Sequence, residues 1–184
     1  MIYLITHPEK VLLDESSISQ KFPSFSAMGE KELYSISQFV VDLHKNHFLS
    51  KSEVTFIVCG TGKRFREVRN FLIREMQVNI PTRYYDFLGN DTSRYAGKVV
   101  LPDETVLAEE EYGLLAEILK PKDAWEFIQG IDQVYPDDKI IITGKQFLDC
   151  FLAKRTQSGS IYQLELDRKT AIPIMERGEI KFSD

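Results

Sequence analysis

The chain has 184 residues, enough for one domain over residues 1–184 with a substantial core. A formal net charge of −5 argues against a nucleic-acid partner held by overall electrostatics, and no apolar run approaches the length of a membrane span. No basic region precedes an apolar stretch at the start, and Cys59 and Cys150 lack metal-ligand spacing, which fits a reduced, cytoplasmic protein.

Ile2-Tyr3-Leu4-Ile5-Thr6 is rich in β-formers and too short for a helix, so it predicts a buried strand that ends at His7-Pro8. Open α/β sheets bind ligands beyond the carboxyl ends of their strands. An imidazole there can act as nucleophile, base or anion contact, or simply bond a loop carbonyl. Residues 9–28 read as irregular. Leu33, Ile36, Val40 and Leu43 then predict a helix from about Glu30 to His44. His44 and His47 near its end are accounted for by the helix dipole, with no acid or thiol spaced to make them metal ligands.

Val54 to Cys59 predicts a second buried strand, stopping at Gly60-Thr61-Gly62-Lys63-Arg64. The next helix runs to about Met76 with Phe65, Val68 and Leu72 on one face. Lys63 and Arg64 open it, where the dipole disfavours cations; they are either held for an anion or form a solvated basic turn. A P-loop is excluded, because its first glycine would fall at Ile57 and Arg64 stands where Ser or Thr is needed. Arg83 to Phe87 predicts a third strand, with Gly89-Asn90-Asp91 as a turn. Residues 92–109 show no clean period. A helical region begins near Glu110 and breaks around Pro121. Asp123 is expected to cap the next helix, with Glu126 three residues on. Trp125, Ile128 and Ile131 form its apolar face, and Trp125 reads as core.

Lys139-Ile140-Ile141-Ile142-Thr143 predicts another buried strand, followed by Gly144-Lys145 and a helix carrying Phe147, Leu148, Phe151 and Leu152. The P-loop test fails here too, with Lys139 in the first glycine position. Ile161 to Leu166 alternates as a strand, residues 167–170 turn, Ala171 to Met175 pairs back, and Gly178 marks a last short segment. Strands alternating with helices imply a three-layer α/β/α sandwich with a mostly parallel sheet and an antiparallel finish. Strands 2–6, 54–59 and 139–143 are expected to be adjacent and parallel, so that His7, Lys63, Arg64 and Lys145 converge.

Four stretches resemble the histidine phosphatase, or phosphoglycerate mutase-like, superfamily. Ile2 to Glu9 resembles its apolar strand ending in Arg-His-Gly. Phe25-Ser26-Ala27-Met28-Gly29 resembles its Leu-Thr-x-x-Gly motif opening a helix. Val58 to Arg64 resembles its strand ending in Ser-x-x-x-Arg, and Tyr135 to Gly144 its strand ending in Ser-His-Gly. The resemblance implies phosphoryl transfer through phosphohistidine, with His7 as nucleophile and Arg64 as a phosphate ligand. Thr6 stands in the position of the first arginine, Gly144 in that of the second histidine and Pro8 in that of the glycine after the nucleophile. Thr6 can donate one hydrogen bond but no charge, and Lys145 can supply a cation near the Gly144 position. Asp86, Asp91, Glu104 and Glu109 are the candidate proton donors. With two of four core groups replaced, the favoured expectation is a degenerate member with a phosphate- or anion-binding pocket formed by Thr6, Lys63, Arg64, Gly144 and Lys145, and with little or no phosphatase activity. The alternative is an active, divergent phosphatase or phosphomutase for a small phosphate ester, and an unrelated α/β binding domain is a third reading. A phosphate-bearing small molecule or other anion is the expected partner, a protein partner also fits, and no cofactor or metal is expected.

Overall fold

The computed structural model describes residues 1–10, 24–45, 56–89, 121–136 and 138–181. The elements in chain order are β1 (Ile2–Thr6), α1 (Ala27–Leu43), β2 (Phe56–Cys59), α2 (Lys63–Met76), β3 (Thr82–Tyr84), α3 (Pro121–Val134), β4 (Lys139–Thr143), α4 (Lys145–Leu152), β5 (Ile161–Glu165), β6 (Thr170–Glu176) and β7 (Glu179–Ile180). Among the described residues they form one seven-stranded sheet in the order β3-β2-β4-β1-β5-β6-β7. The first four strands in that order run parallel, and β5, β6 and β7 finish the sheet antiparallel.

Alternation along each strand divides the core between two helical layers. Tyr3, Ile5, Ile57, Cys59, Ile140 and Ile142 pack with α1 (Leu33, Ile36, Val40) and α2 (Phe65, Val68, Leu72). Ile2, Leu4, Val58, Ile141, Tyr162 and Leu164 pack with α3 (Ala124, Ile128, Ile131) and α4 (Phe147, Leu148, Phe151). This is the α/β/α sandwich expected. Trp125 stacks on Phe151 with centroids 4.0 Å apart, in the α3/α4 layer. Lys139 is buried on that side with its ammonium paired to Asp132 of α3. Cys59 and Cys150 are buried and not joined in a disulfide, and burial pushes each thiol up to about 12. No helix among the described residues is long and apolar enough to cross a membrane.

Three boundaries differ from the sequence expectation. α1 starts a turn earlier, because Ser26 caps it by accepting a hydrogen bond from Gly29 N at 3.0 Å. β3 is shorter and ends at Tyr84; Tyr85 N still donates to Cys59 O at 2.9 Å, and Asp86–Leu88 then coils into a 3-10 turn. Asp123 is not the cap of α3 but lies in its first turn, where the dipole favours an acid, while Pro121 takes the first helical position, where no N–H is needed. The expected features at His47, Val54, Asn90, Asp91, Glu104, Glu109 and Glu110 lie outside the described residues.

The chain leaving β1 docks on the start of α1. Ser26 N donates to Glu9 O at 3.1 Å, and Ser26 Oγ donates to Glu9 Oε1 at 2.9 Å. The same Glu9 carbonyl oxygen lies 2.1 Å from where a Cβ on Gly29 would stand. Gly29→Ala therefore has to push this loop away, with an expected loss of about 1–3 kcal/mol in urea unfolding. Gly130 is the control: it sits inside α3 with nothing within 4 Å of a Cβ, and Gly130→Ala should stabilise by about 0.5–1 kcal/mol.

Candidate active site

β4 lies between β1 and β2, with Thr6 opposite Thr143 and Cys59 opposite Ile142. The three strand ends are thus level to within one residue. Two further bonds fix the exits: His7 N donates to Thr143 O at 3.2 Å, and Gly60 N donates to Ile142 O at 3.0 Å. Sequence reasoning expected this adjacency and its consequence, that the turns carrying His7, Arg64 and Lys145 share one edge of the sheet.

The turns are packed around the ring of Phe65, which is fully buried. A Cβ on Gly60 would lie 2.7 Å from that ring, one on Gly89 2.5 Å, and one on Gly144 3.5 Å. His7 meets the ring edge-on at 5.6 Å, and the Arg64 guanidinium lies over it at 4.7 Å. The 3-10 turn is bolted on by its carbonyls. Leu88 O accepts from Gly144 N and from Thr143 Oγ1, both at 2.8 Å, and Gly89 O accepts from Thr61 N at 2.8 Å. The glycines at these strand ends are thereby accounted for by close packing, a reason the sequence pattern did not disclose.

His7 is buried, with Nδ1 2.7 Å from Pro8 O. A carbonyl only accepts, so Nδ1 carries the proton and Nε2 keeps its lone pair. The His7 pKa is lowered to about 3, chiefly by burial and next by Arg64, with Lys10 and Lys145 adding to the shift and the Pro8 carbonyl opposing it. The imidazole is therefore neutral at physiological pH, in one tautomer, inside a field of three cations. Lys10 was not foreseen, because residues 9–28 carry no pattern that places them.

The other expected residues fall as follows. Thr6 is buried and its hydroxyl accepts from Ser160 N at 2.9 Å, so it serves the β1–β5 edge. Lys63 is exposed at the start of α2, and Lys145 is half-buried at the start of α4. Neither helix has a side-chain cap, in contrast to α1. Gly144 gives its N–H to Leu88. Asp86 is exposed beyond β3 and accepts from Thr61 Oγ1. It is the one candidate acid among the described residues. No group of three or more metal-binding side chains occurs among those residues.

No family model matches the chain, and no curated protein matches it by sequence. Solved structures do match it by shape. One, from Escherichia coli K-12 and described as an alpha-ribazole-5'-P phosphatase, superposes with a TM-score of 0.54 at 11% identity, covering 98% of each chain. The protein histidine phosphatase SixA, in complex with tungstate, gives 0.52 at 10% identity over 96% of each chain. A phosphoserine phosphatase mutant from Entamoeba histolytica, bound to phosphoserine, gives 0.50 at 8% identity, covering 96% of this chain and 95% of that one. The chain thus has the histidine-phosphatase-like fold.

The His7 geometry has a direct signature. Its ring should show no titration between pH 5 and 8 in 15N NMR, and Arg64→Ala should raise its pKa while leaving it below 6.5, since burial is the larger cause. An unfolded histidine binds a proton near pH 6.5, the folded one only near 3. Stability should therefore fall as pH drops through that window, by up to about 1.4 kcal/mol per pH unit from this group, and His7→Gln should flatten the slope.

Proposed function

We propose that the protein binds a phosphate-bearing small molecule at His7, Arg64, Lys145 and Lys10, and that it transfers the phosphoryl group slowly or not at all. The observation that carries this reading is the convergence of three cations on one neutral, tautomerically fixed imidazole. A positive field around a group that carries no charge of its own favours a bound anion. The fold adds support, since the solved structures of this shape include phosphatases.

Weak catalysis follows from what is missing. A phosphoryl group in flight keeps its negative charge, so its transition state needs donors of fixed geometry. An arginine and a second histidine are replaced by Thr6, whose hydroxyl is engaged by Ser160, and Gly144, whose amide is engaged by Leu88. Each charged hydrogen bond is worth about 1.5–3 kcal/mol. Losing two lowers the rate by about two to four decades, at 1.36 kcal/mol per tenfold. Ground-state binding asks only for charge complementarity and suffers less.

One observation favours a second reading, an active divergent phosphatase. The lone pair of His7 Nε2 is the one an in-line attack on phosphorus requires, and Pro8 O holds Nδ1–H as that attack demands. In that case the P–O bond to the leaving group breaks as the Nε2–P bond forms. Asp86 is the described candidate to protonate the leaving oxygen, and water then releases phosphate from the histidine.

Two measurements separate the readings. Phosphate or tungstate at millimolar concentration should raise the melting temperature, less in Arg64→Ala and Lys145→Ala, and less at high salt. No shift with either anion overturns the binding site. Hydrolysis of p-nitrophenyl phosphate should be very slow and vanish in His7→Ala; turnover near 10 per second would establish the second reading instead.

A further inference from the structure

We propose that Glu32 is a positioning residue for His7, acting through the single peptide unit between Pro8 and Glu9. That unit is planar and stiff, with its C=O and its N–H on opposite sides. Its C=O accepts from His7 Nδ1 at 2.7 Å. Its N–H donates to Glu32 Oε2, also at 2.7 Å. A buried carboxylate on α1 and the candidate nucleophile on the β1 exit thus bond the two ends of one amide. This deepens the phosphoryl-transfer reading, on which its catalytic meaning rests.

The surroundings show that the carboxylate is held for this contact. Glu32 is 1% exposed. Its other oxygen, Oε1, accepts from Ser158 Oγ at 3.1 Å. A Cβ on the neighbouring Gly159 would come within 2.7 Å of Glu32 Cδ. Gly159 N in turn donates to His7 O at 3.2 Å. Glu32 therefore bonds the backbone that follows His7 and the Ser158 side chain beside Gly159, whose amide holds the His7 carbonyl. A hydrogen bond to a carboxylate is stronger than one to a neutral acceptor, and it polarises the amide so that its carbonyl becomes a better acceptor at the far end. Nδ1–H is then held firmly and Nε2 is kept aimed and unprotonated.

The charge is retained against a cost. Burial raises the pKa of Glu32, and Glu9 adds to the rise, while the Glu9 amide, Ser158 and Arg177 oppose it. A glutamine has the shape to accept from Glu9 N and to donate to Ser158 Oγ, and it carries no charge to desolvate. Glu32→Gln is therefore expected to keep or raise the melting temperature. A purely structural carboxylate would then leave the histidine undisturbed by the exchange.

The test reads the His7 ring directly by 15N and 1H NMR. In Glu32→Gln the Nδ1–H proton should exchange with water roughly fivefold faster or more, as expected when a charged acceptor becomes neutral. Ser158→Ala, which spares the Glu9 contact, should leave that rate unchanged. In the unmodified protein the Nδ1–H resonance should move together with the Glu32 side-chain carbon as pH falls. That titration is raised above the ordinary glutamate range, and so lies above the one His7 reaches at about 3. An unchanged exchange rate in Glu32→Gln, or an Nδ1–H resonance that stays flat while Glu32 titrates, overturns the proposal. Phosphorylation of His7 by phosphoramidate should slow in Glu32→Gln with no change in phosphate affinity. If the unmodified protein is never phosphorylated, the phosphoryl-transfer reading fails, and the ring measurements still decide the role of Glu32.

Discussion

The ring of Phe65 is the constraint on which the site depends. Four chain segments arrive at the same edge of the sheet, and each has backbone or a side chain against that ring: Gly60 after β2, Gly89 after the 3-10 turn, Gly144 after β4 and His7 after β1. Three of the four meet it with no side chain at all. The geometry is a plug-and-collar arrangement in which a residue of α2 fills the space that the turns surround. Because protein interiors are close-packed, a shift of any one turn is felt by the others. The placement of His7 and Arg64 relative to each other follows from this packing.

Much of this architecture was legible in the sequence. The apolar runs of β1 and β4 are short, bounded by polar residues and buried on both faces, so their limits coincide with those of the strands. α2 was equally readable from the spacing of Phe65, Val68 and Leu72. Failures came where a residue type carries two meanings. Ser26 read as loop and is a cap; Tyr85 to Phe87 read as strand, yet Tyr85 makes the last ladder bond before the chain coils. Gly144 read as part of an anion pocket, and it is Phe65 and Leu88 that approach it. Lys10 and Glu32 were invisible for a different reason. Their bearing on His7 arises from long-range contacts that no local pattern encodes.

Electrostatics at the site runs opposite to the rest of the molecule. The chain is acidic overall, with a net charge of −5, yet the groups bearing on His7 are Arg64, Lys10 and Lys145. A small positive region on a negative protein focuses the field locally. The backbone reinforces the side chains only in part, since the carbonyls of Leu88 and Gly89 already take the amides of Gly144 and Thr61. On the proposed reading an anion would be held chiefly by side-chain charges, which salt screens more readily than a cradle of fixed dipoles.

Burial of the thiols gives the molecule a built-in clock. Cys59 ends β2 one residue before the collar around Phe65, and its thiol is pushed up to about 12. At neutral pH such a thiol stays protonated, and only the thiolate reacts. Cys150, in the opposite helical layer, is pushed equally high. Alkylating reagents and peroxide therefore meet two silent sulfurs for as long as the core stays shut. The pace at which each becomes modified records how often its own half of the sandwich opens, and so whether the two layers breathe together or apart.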